Sequence, residues 1–368
     1  MEISQIIDLY QQRKAEKEAE ILAFLVGSSP DGGNAAARHP FLVIQRTPND
    51  SFGACNTIEQ VYRSNITYIE RSLQFKWSDE LPYLEPWIGT GVYASAFGSV
   101  YKWREDNAPD AYYAYHKIEE VIDVPYPDYR KNPIMTMVLN CIDYMKEKTR
   151  GQIPISCTDT QSPFDTATLI LDAAEFFTAC YTHEEIVFNF MKKITDLIIE
   201  FSNVQGALIG DDLWVRPGHI MVSSTSYRGL SISDDNLPVS SPKINQKVAF
   251  PYDQMLADAF DGLAIHSCGN WAKTMARLDQ MSNILMIDCA ASKVCDPTPN
   301  TPSEIRDAMR GKGIITKVRV GDDLEEILPQ IEALASPDLK LIVELAYNEE
   351  NAEKNYRTVK EKLEALYA

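Results

Sequence analysis

Apolar positions recur along the chain in two different periods. Over the first two hundred residues a spacing of three and four dominates. It predicts helices to about residue 25 and over 57–73, 133–148, 166–180 and 184–202. Thr57, with Glu59 behind it, supplies an N-cap for the second of these. Short apolar runs between the helices read as strands at 41–44, 92–97 and 153–156. From residue 203 the pattern becomes regular. Strand-like runs at 229–233, 262–266, 283–288, 313–318 and 339–344 alternate with helical stretches at 247–260, 271–281, 302–309, 324–335 and 351–366. Strands alternating with helices of this length imply parallel pairing. Five such units and three earlier strands make eight, which predicts an α/β chain of the (β/α)8 TIM-barrel class with an N-terminal helical extension and insertions. The expected division is a helix and loop extension over 1–40 and a single barrel domain over 41–368. A doubly wound open sheet is the alternative. No Gly-rich dinucleotide fingerprint or phosphate loop follows any strand, which weighs against it. The loop-forming stretch 27–33, the Pro- and Tyr-rich excursion 103–135 and the insertion 210–219 interrupt the pattern.

Charge narrows the partners. The 368 residues carry 35 Lys and Arg against 53 Asp and Glu, a net charge of −18. Such a chain is a poor ligand for nucleic-acid phosphates and for an anionic membrane surface, so neither partner is expected. No apolar run is long enough to span a bilayer. Residues 1–20 are charged and helix-favouring, without the apolar core of a signal peptide. The cysteines number seven, an odd count at wide spacings. We expect a reduced, cytoplasmic protein.

The sharpest chemical feature is Ala264-Ile265-His266-Ser267-Cys268-Gly269-Asn270, where an apolar strand ends in a His, a Cys and a Gly. The C-terminal strand ends of a barrel form its active face. A His and a Cys two apart at such an end point the same way, and imidazole with thiolate is a zinc-type pair. The plainer reading is a buried His beside a core Cys. Asp234 and Asp235 end the preceding strand and are candidates for substrate binding or acid–base work, against simple helix capping. Asp159 and Gln161 follow the strand at 153–156 and are placed to line the same mouth, unless they only form a turn. Trp214 and His219 would suit a lid, although a surface hairpin is the simpler reading. His39, His116 and His183 lack ligand spacing. Tyr112, Tyr113 and Tyr115 read as packing or interface.

The stretch 263–270 resembles the His-x-Cys-Gly segment of the uroporphyrinogen decarboxylase-like superfamily. It is most similar to the zinc-dependent branch, the methylcobamide:coenzyme M methyltransferases and their corrinoid-linked relatives. Segments 81–89, 153–163 and 232–235 resemble the same family, and the similarity runs from about residue 55 to the C-terminus. The resemblance implies a (β/α)8 barrel holding Zn²⁺ on His266, Cys268 and a third ligand. In the relatives that ligand is a Cys on the last strand. Here the strand at 341–347 has none, and Glu344 is the nearest oxygen donor, giving an expected His266-Cys268-Glu344 site. Cys289 competes, with a small buried residue as its plainer reading; Cys295 lies farther along the loop. The implied reaction moves a methyl group between a corrinoid and a small thiol or a methoxylated or methylated substrate. A methylcorrinoid is the expected co-substrate, carried by a separate corrinoid protein. Asp234, Asp235 and Asp159 are the catalytic candidates; Gly269, Asn270 and Gln161 are the cofactor-contact candidates. A carboxylate ligand in place of thiolate donates less to the metal and favours Lewis-acid activation of the substrate. One alternative is a cofactor-independent decarboxylase acting on a carboxylated tetrapyrrole. It would need several cavity cations and an Arg-rich N-terminal motif, of which Ile44-Gln45-Arg46-Thr47-Pro48 is the nearest trace. A non-catalytic barrel that binds a corrinoid or its carrier is the other.

Overall fold

The structure, a computed structural model, describes residues 1–27, 40–47 and 52–368. Most of the expected loop at 27–33, and His39, fall outside them. Six parallel strands form the main sheet: β1 (Phe41–Gln45), then, after a hairpin of β2 (Val100–Lys102) and β3 (Asp110–Tyr112), β4 (Leu230–Ser233), β5 (Leu263–His266), β6 (Ile284–Ala290), β7 (Ile315–Val320) and β8 (Leu341–Leu345). Their order is β1-β8-β7-β6-β5-β4. Two further segments close the wall. Asp79 N–H donates to Val43 O at 3.0 Å, Leu84 bridges Ile155, and Gln161 bridges Ser233, all beside the neighbouring strand. Residues 79–88 and 153–161 therefore occupy the second and third places of an eight-membered barrel.

The expected strand at 92–97 is instead the short helix Val92–Ala96. A brief run of Val, Tyr and Ala has no length from which to tell a buried helix from a strand. The real second wall segment is Pro-punctuated and joined by single bridges, which hides it from periodicity. The expected helix at 166–180 is two helices, Pro163–Ile170 and Ala173–Thr182. Asp172 starts the second by accepting the N–H groups of Ala174 and Glu175. Thr57 caps Ile58–Gln74 as its sequence suggests, in a reciprocal capping box with Gln60.

Every residue of β4 to β7, and of β1, is buried, as expected for strands covered on both faces. Inside the barrel Leu42, Ile44, Ala264, Met286, Ile315 and Ile342 form one apolar cluster. Ile21, Phe24 and Leu25, from the end of the N-terminal helix Ile3–Val26, belong to that same cluster. The helix thus plugs the barrel interior, while its earlier residues Ile6, Ile7 and Tyr10 join the larger core between wall and outer helices. Among the described residues no helix is long and apolar enough to cross a membrane.

Candidate active site

A cavity of about 350 Å³ opens at the C-terminal ends of the strands. Almost every wall segment sends an ionisable group into it: Arg46 after β1, Glu80 and Glu85 from the second segment, Asp159 from the third, Asp235 after β4, His266 and Cys268 at β5, Lys317 and Arg319 from β7, and Glu344 from β8. The arrangement follows from strand geometry, since each strand aims alternate side chains at the interior and its last inward residue reaches the mouth.

Three donors converge there. His266 Nε2 lies 3.4 Å from Cys268 Sγ and 3.6 Å from Asp235 Oδ1. Donor atoms of Asp235, His266 and Cys268 all fall within 4.8 Å of one another. Two turns hold the geometry. Asp165 accepts the N–H groups of Asp235 and Asn236 at 2.6 and 2.9 Å, fixing the chain as it leaves β4. Cys268 N–H donates to Asp235 Oδ1 at 2.6 Å, tying the two loops together. Gly269, at φ +72°, then turns the chain where a Cβ would meet Pro238 at 2.9 Å. Burial pushes the Cys268 thiol up to about 12, with Asp235 adding to the effect and Arg319 opposing it.

His266 is aimed from behind. Its Nδ1 donates to Asp288 Oδ2 at 2.7 Å, which leaves the Nε2 lone pair directed at the other two donors. Burial alone would raise Asp288; the charges of Arg319 and Lys317, with the His266 hydrogen bond, outweigh it and hold the carboxyl well below the usual range. Lys317 Nζ reaches Asp288 Oδ1 at 2.7 Å and Glu344 Oε2 at 2.5 Å, and Arg319 Nε lies 3.0 Å from Asp288 Oδ2. Here the expected trio needs correction. Glu344 is held by the Lys317 cation one strand away, and Asp235 is the oxygen donor that stands with His266 and Cys268. The competing cysteines also face elsewhere: Cys289 Sγ lies against Lys317 O and Cys295 Sγ against Val320 O.

A second cluster lines the same cavity. His219 Nδ1 lies 2.7 Å from Glu85 Oε1, and its Nε2 lies 3.5 Å from Asp159 Oδ1. Asp159 also accepts from Trp87 Nε1 at 3.3 Å and from Gln161 Nε2 at 3.1 Å. Phe52 packs on the imidazole with ring centroids 5.4 Å apart. Burial disfavours the charged imidazole, but Asp159 and Glu85 on its two sides outweigh that and push it up to about 9. Nearby, burial pushes Glu80 up to about 7 although Tyr68 donates to it at 2.8 Å.

The sequence offers His219 only as part of a lid with Trp214, with a surface hairpin as the simpler reading, and not as a group of the cavity wall. The stretch 210–219 is no surface hairpin: Trp214 bridges Ile155, Arg216 bridges Ser224, and His219 is buried in the wall. The retrievable signal was a lone His in an insertion lying between two wall strands. Other expectations are also revised. Asp234 is wholly buried and outside the cavity lining, because successive residues leaving a strand face opposite sides and Asp235 takes the inward place. Burial beside Asp253 raises Asp234 well above the carboxylate range. Asn270 is exposed and donates to Glu304 at 3.4 Å, while Gly269 N–H is spent on Asp296 at 2.7 Å, so neither lines the cavity. Asp159 and Gln161 do. Tyr112 and Tyr113 are exposed on and beside the β2–β3 hairpin.

Comparison with known proteins bears on this geometry. The model of the uroporphyrinogen decarboxylase (URO-D) family matches residues 89–208. No curated protein matches the chain. Among solved structures, a methyltransferase from Methanosarcina mazei shares the fold at a TM-score of 0.58, with 11% identity over 94% of this chain and 98% of that one. D-psicose 3-epimerase from Clostridium cellulolyticum H10 superposes at a TM-score of 0.31 and 10% identity, over 62% of this chain and 84% of that one. The chain is therefore an α/β barrel of the same fold as the Methanosarcina enzyme, and its resemblance to the uroporphyrinogen decarboxylase-like superfamily rests on a direct match to the family over residues 89–208.

Proposed function

We propose that this chain is a metal-dependent methyltransferase that uses His266, Cys268 and Asp235 to hold Zn²⁺ and exchanges a methyl group between a small substrate and a corrinoid. The observation that carries this reading is the convergence of an imidazole nitrogen, a sulfur and a carboxylate oxygen within 4.8 Å at a cavity mouth. The donor set fits. Catalytic zinc takes three protein ligands and leaves a position open, and its His ligand donates its other nitrogen to a carboxylate, as His266 does to Asp288. When bound, the zinc would supply Lewis acidity at the atom bearing the methyl group. Asp235 in place of a second thiolate suits that role better than the making of a very nucleophilic thiolate.

The chain's own residues do the rest. Asp288, fixed by Lys317 and Arg319, sets the tautomer and direction of His266. The Asp165 side chain holds the turn that presents Asp235. Trp87, Phe52 and Met221 supply the apolar part of the cavity wall. About 350 Å³ is at the small end of ligand pockets, so the substrate sits inside and a corrinoid on a separate carrier approaches from the mouth. A polycarboxylate substrate suits the cavity poorly. Glu80, Glu85, Asp159, Asp235 and Glu344 all face it, while Lys317 and Arg319 are already matched by Asp288 and Glu344, which leaves Arg46 as the remaining arginine or lysine of the lining against five carboxyl groups. This favours methyl transfer over decarboxylation of a tetrapyrrole.

Metal analysis tests the site. The wild type should carry about one zinc per chain. Asp235→Asn, His266→Ala and Cys268→Ser should each lose most of it, whereas Glu344→Gln should keep it. Zinc lost with Glu344→Gln but kept with Asp235→Asn would restore Glu344 as ligand and sink the assignment.

A further inference from the structure

We infer that His219, clamped between Glu85 and Asp159, is the cavity's proton donor, and that the substrate is therefore a methyl ether whose oxygen must be protonated when the methyl leaves. The inference rests on the methyl-transfer reading above and narrows its substrate class.

The geometry separates the two ends of the ring. Nδ1 is held short by Glu85 at 2.7 Å, while Nε2 stands 3.5 Å from Asp159, beyond a good hydrogen bond. The Nε2 proton is thus the one available to a ligand. Asp159 is occupied by Trp87, Gln161 and Ser233, so it stays in place beside Nε2, where it favours the charged imidazole. Ser233 is the register partner of His266, which puts this cluster one strand from the donor trio. The groups facing the ring are Glu85 and Asp159, with Phe52 on its face and Asp288 farther off. Together they push the imidazole up to about 9, so it is charged at neutral pH.

Arg46 and Arg319 also line the cavity, but arginine does not act as an acid in proteins, and three other donors are committed. Tyr68 donates to Glu80, Tyr83 to Met221 O, and Lys317 to Asp288 and Glu344. Glu80 remains as the rival.

A resident acid selects among leaving groups. A methylated ammonium releases a neutral amine and needs no proton. A thioether releases a thiolate, which survives near neutral pH. An ether releases an alkoxide or a phenoxide, and a phenol titrates near ~10, so the oxygen gains most from an acid at hand. The step balances. The methyl–oxygen bond breaks with its electron pair left on the oxygen, the methyl passes to the electron pair of the reduced corrinoid, the His219 Nε2–H bond breaks as the O–H bond forms, and a neutral imidazole remains with Nδ1–H on Glu85.

Two measurements test this. In protein labelled with ¹⁵N-histidine, the signal lost in His219→Gln should titrate near 9 and move toward the ordinary range of about 6.5 in Glu85→Gln. A signal that is neutral at pH 7 overturns the proposal. In the zinc-loaded protein with a free reduced corrinoid, aryl methyl ethers should outrun a methyl thioether and tetramethylammonium. His219→Gln should cost about 10²-fold or more on anisole and less on a nitrophenyl methyl ether, steepening the dependence on phenol acidity. A thioether or ammonium as best donor, an equal loss across the ether series, or the steepening in Glu80→Gln instead would each overturn it. Zinc without turnover of any donor would sink the methyl-transfer reading and the ether assignment with it. The titration then still decides whether His219 is a charged donor.

Discussion

Asp288 serves the fold and the site with the same two oxygens. Oδ2 orients His266, and both oxygens balance cations that would otherwise be stranded in the wall, Lys317 on one side and Arg319 on the other. Asp288→Asn keeps the shape and removes the charge. We expect zinc affinity to fall roughly 10–100-fold as the His266 tautomer is released. We also expect the fold to lose about 3–5 kcal/mol, because buried Arg319 loses its counter-charge and Lys317 is left with Glu344 alone. Competition with a chromophoric chelator measures the first and denaturant unfolding the second. Unchanged zinc affinity would mean that His266 is oriented by something else. At this scale the sequence displayed His266 and Cys268 as a pair, because two residues at a strand end share a direction whatever the rest of the fold does. It did not display their third partner. Asp235 and Glu344 both carry a carboxyl group near a strand end, and only the position of Lys317 on β7 decides which of them is occupied. His219 lies in an insertion without period, so no pattern placed it.

Legibility at the scale of elements followed covering and length. β4 to β8 are apolar runs separated by helices of ordinary length, and each was visible. The second wall segment was not, because Pro82 and Pro86 break its ladder and single bridges replace a register. The N-terminal helix was visible as a helix but not as a plug. Its apolar residues divide between two clusters, and nothing local to 1–26 tells which belongs to the barrel interior. That division has a consequence. Phe24 is 2% exposed and packs with Leu42, Met286 and Ile342 inside the barrel, far in sequence from the donor trio. Phe24→Ala should cost about 3–5 kcal/mol through the cavity it leaves. Zinc content at low temperature should stay at the wild-type level. Thermal unfolding with parallel metal analysis checks both, and loss of zinc before unfolding would show that the plug shapes the mouth.

Over the whole molecule, carboxyl groups are pulled in opposite directions, and the balance sets how stability varies with pH. For Asp288, and for Asp79 beside Lys17 and Lys360, burial works upward but the neighbouring cations prevail and lower the carboxyl. Lowered groups contribute stability that is full above the unfolded carboxylate value and is lost as pH falls from there through the lowered folded value. Asp165, Asp234 and Asp253 are wholly buried and raised well above the ordinary value, Asp253 by burial and then by Asp165. Neither oxygen of Asp253 has a hydrogen-bond partner among the described residues. These groups stay protonated in the fold and ionise once the chain unfolds. Their cost is absent below the unfolded value near 3.8 and grows as pH rises, by up to about 1.4 kcal/mol per unit for each group, until the folded carboxyl itself ionises. Asp253→Asn takes one such proton out of the balance without changing the shape. It should leave the melting temperature nearly unchanged at pH 3.5 and raise it increasingly between pH 5 and pH 8. Asp253 touches none of the three donors, so zinc content should be that of the wild type. Melting curves across that range measure the difference, and a gain independent of pH would mean that Asp253 is already ionised in the fold, held by a partner other than a proton.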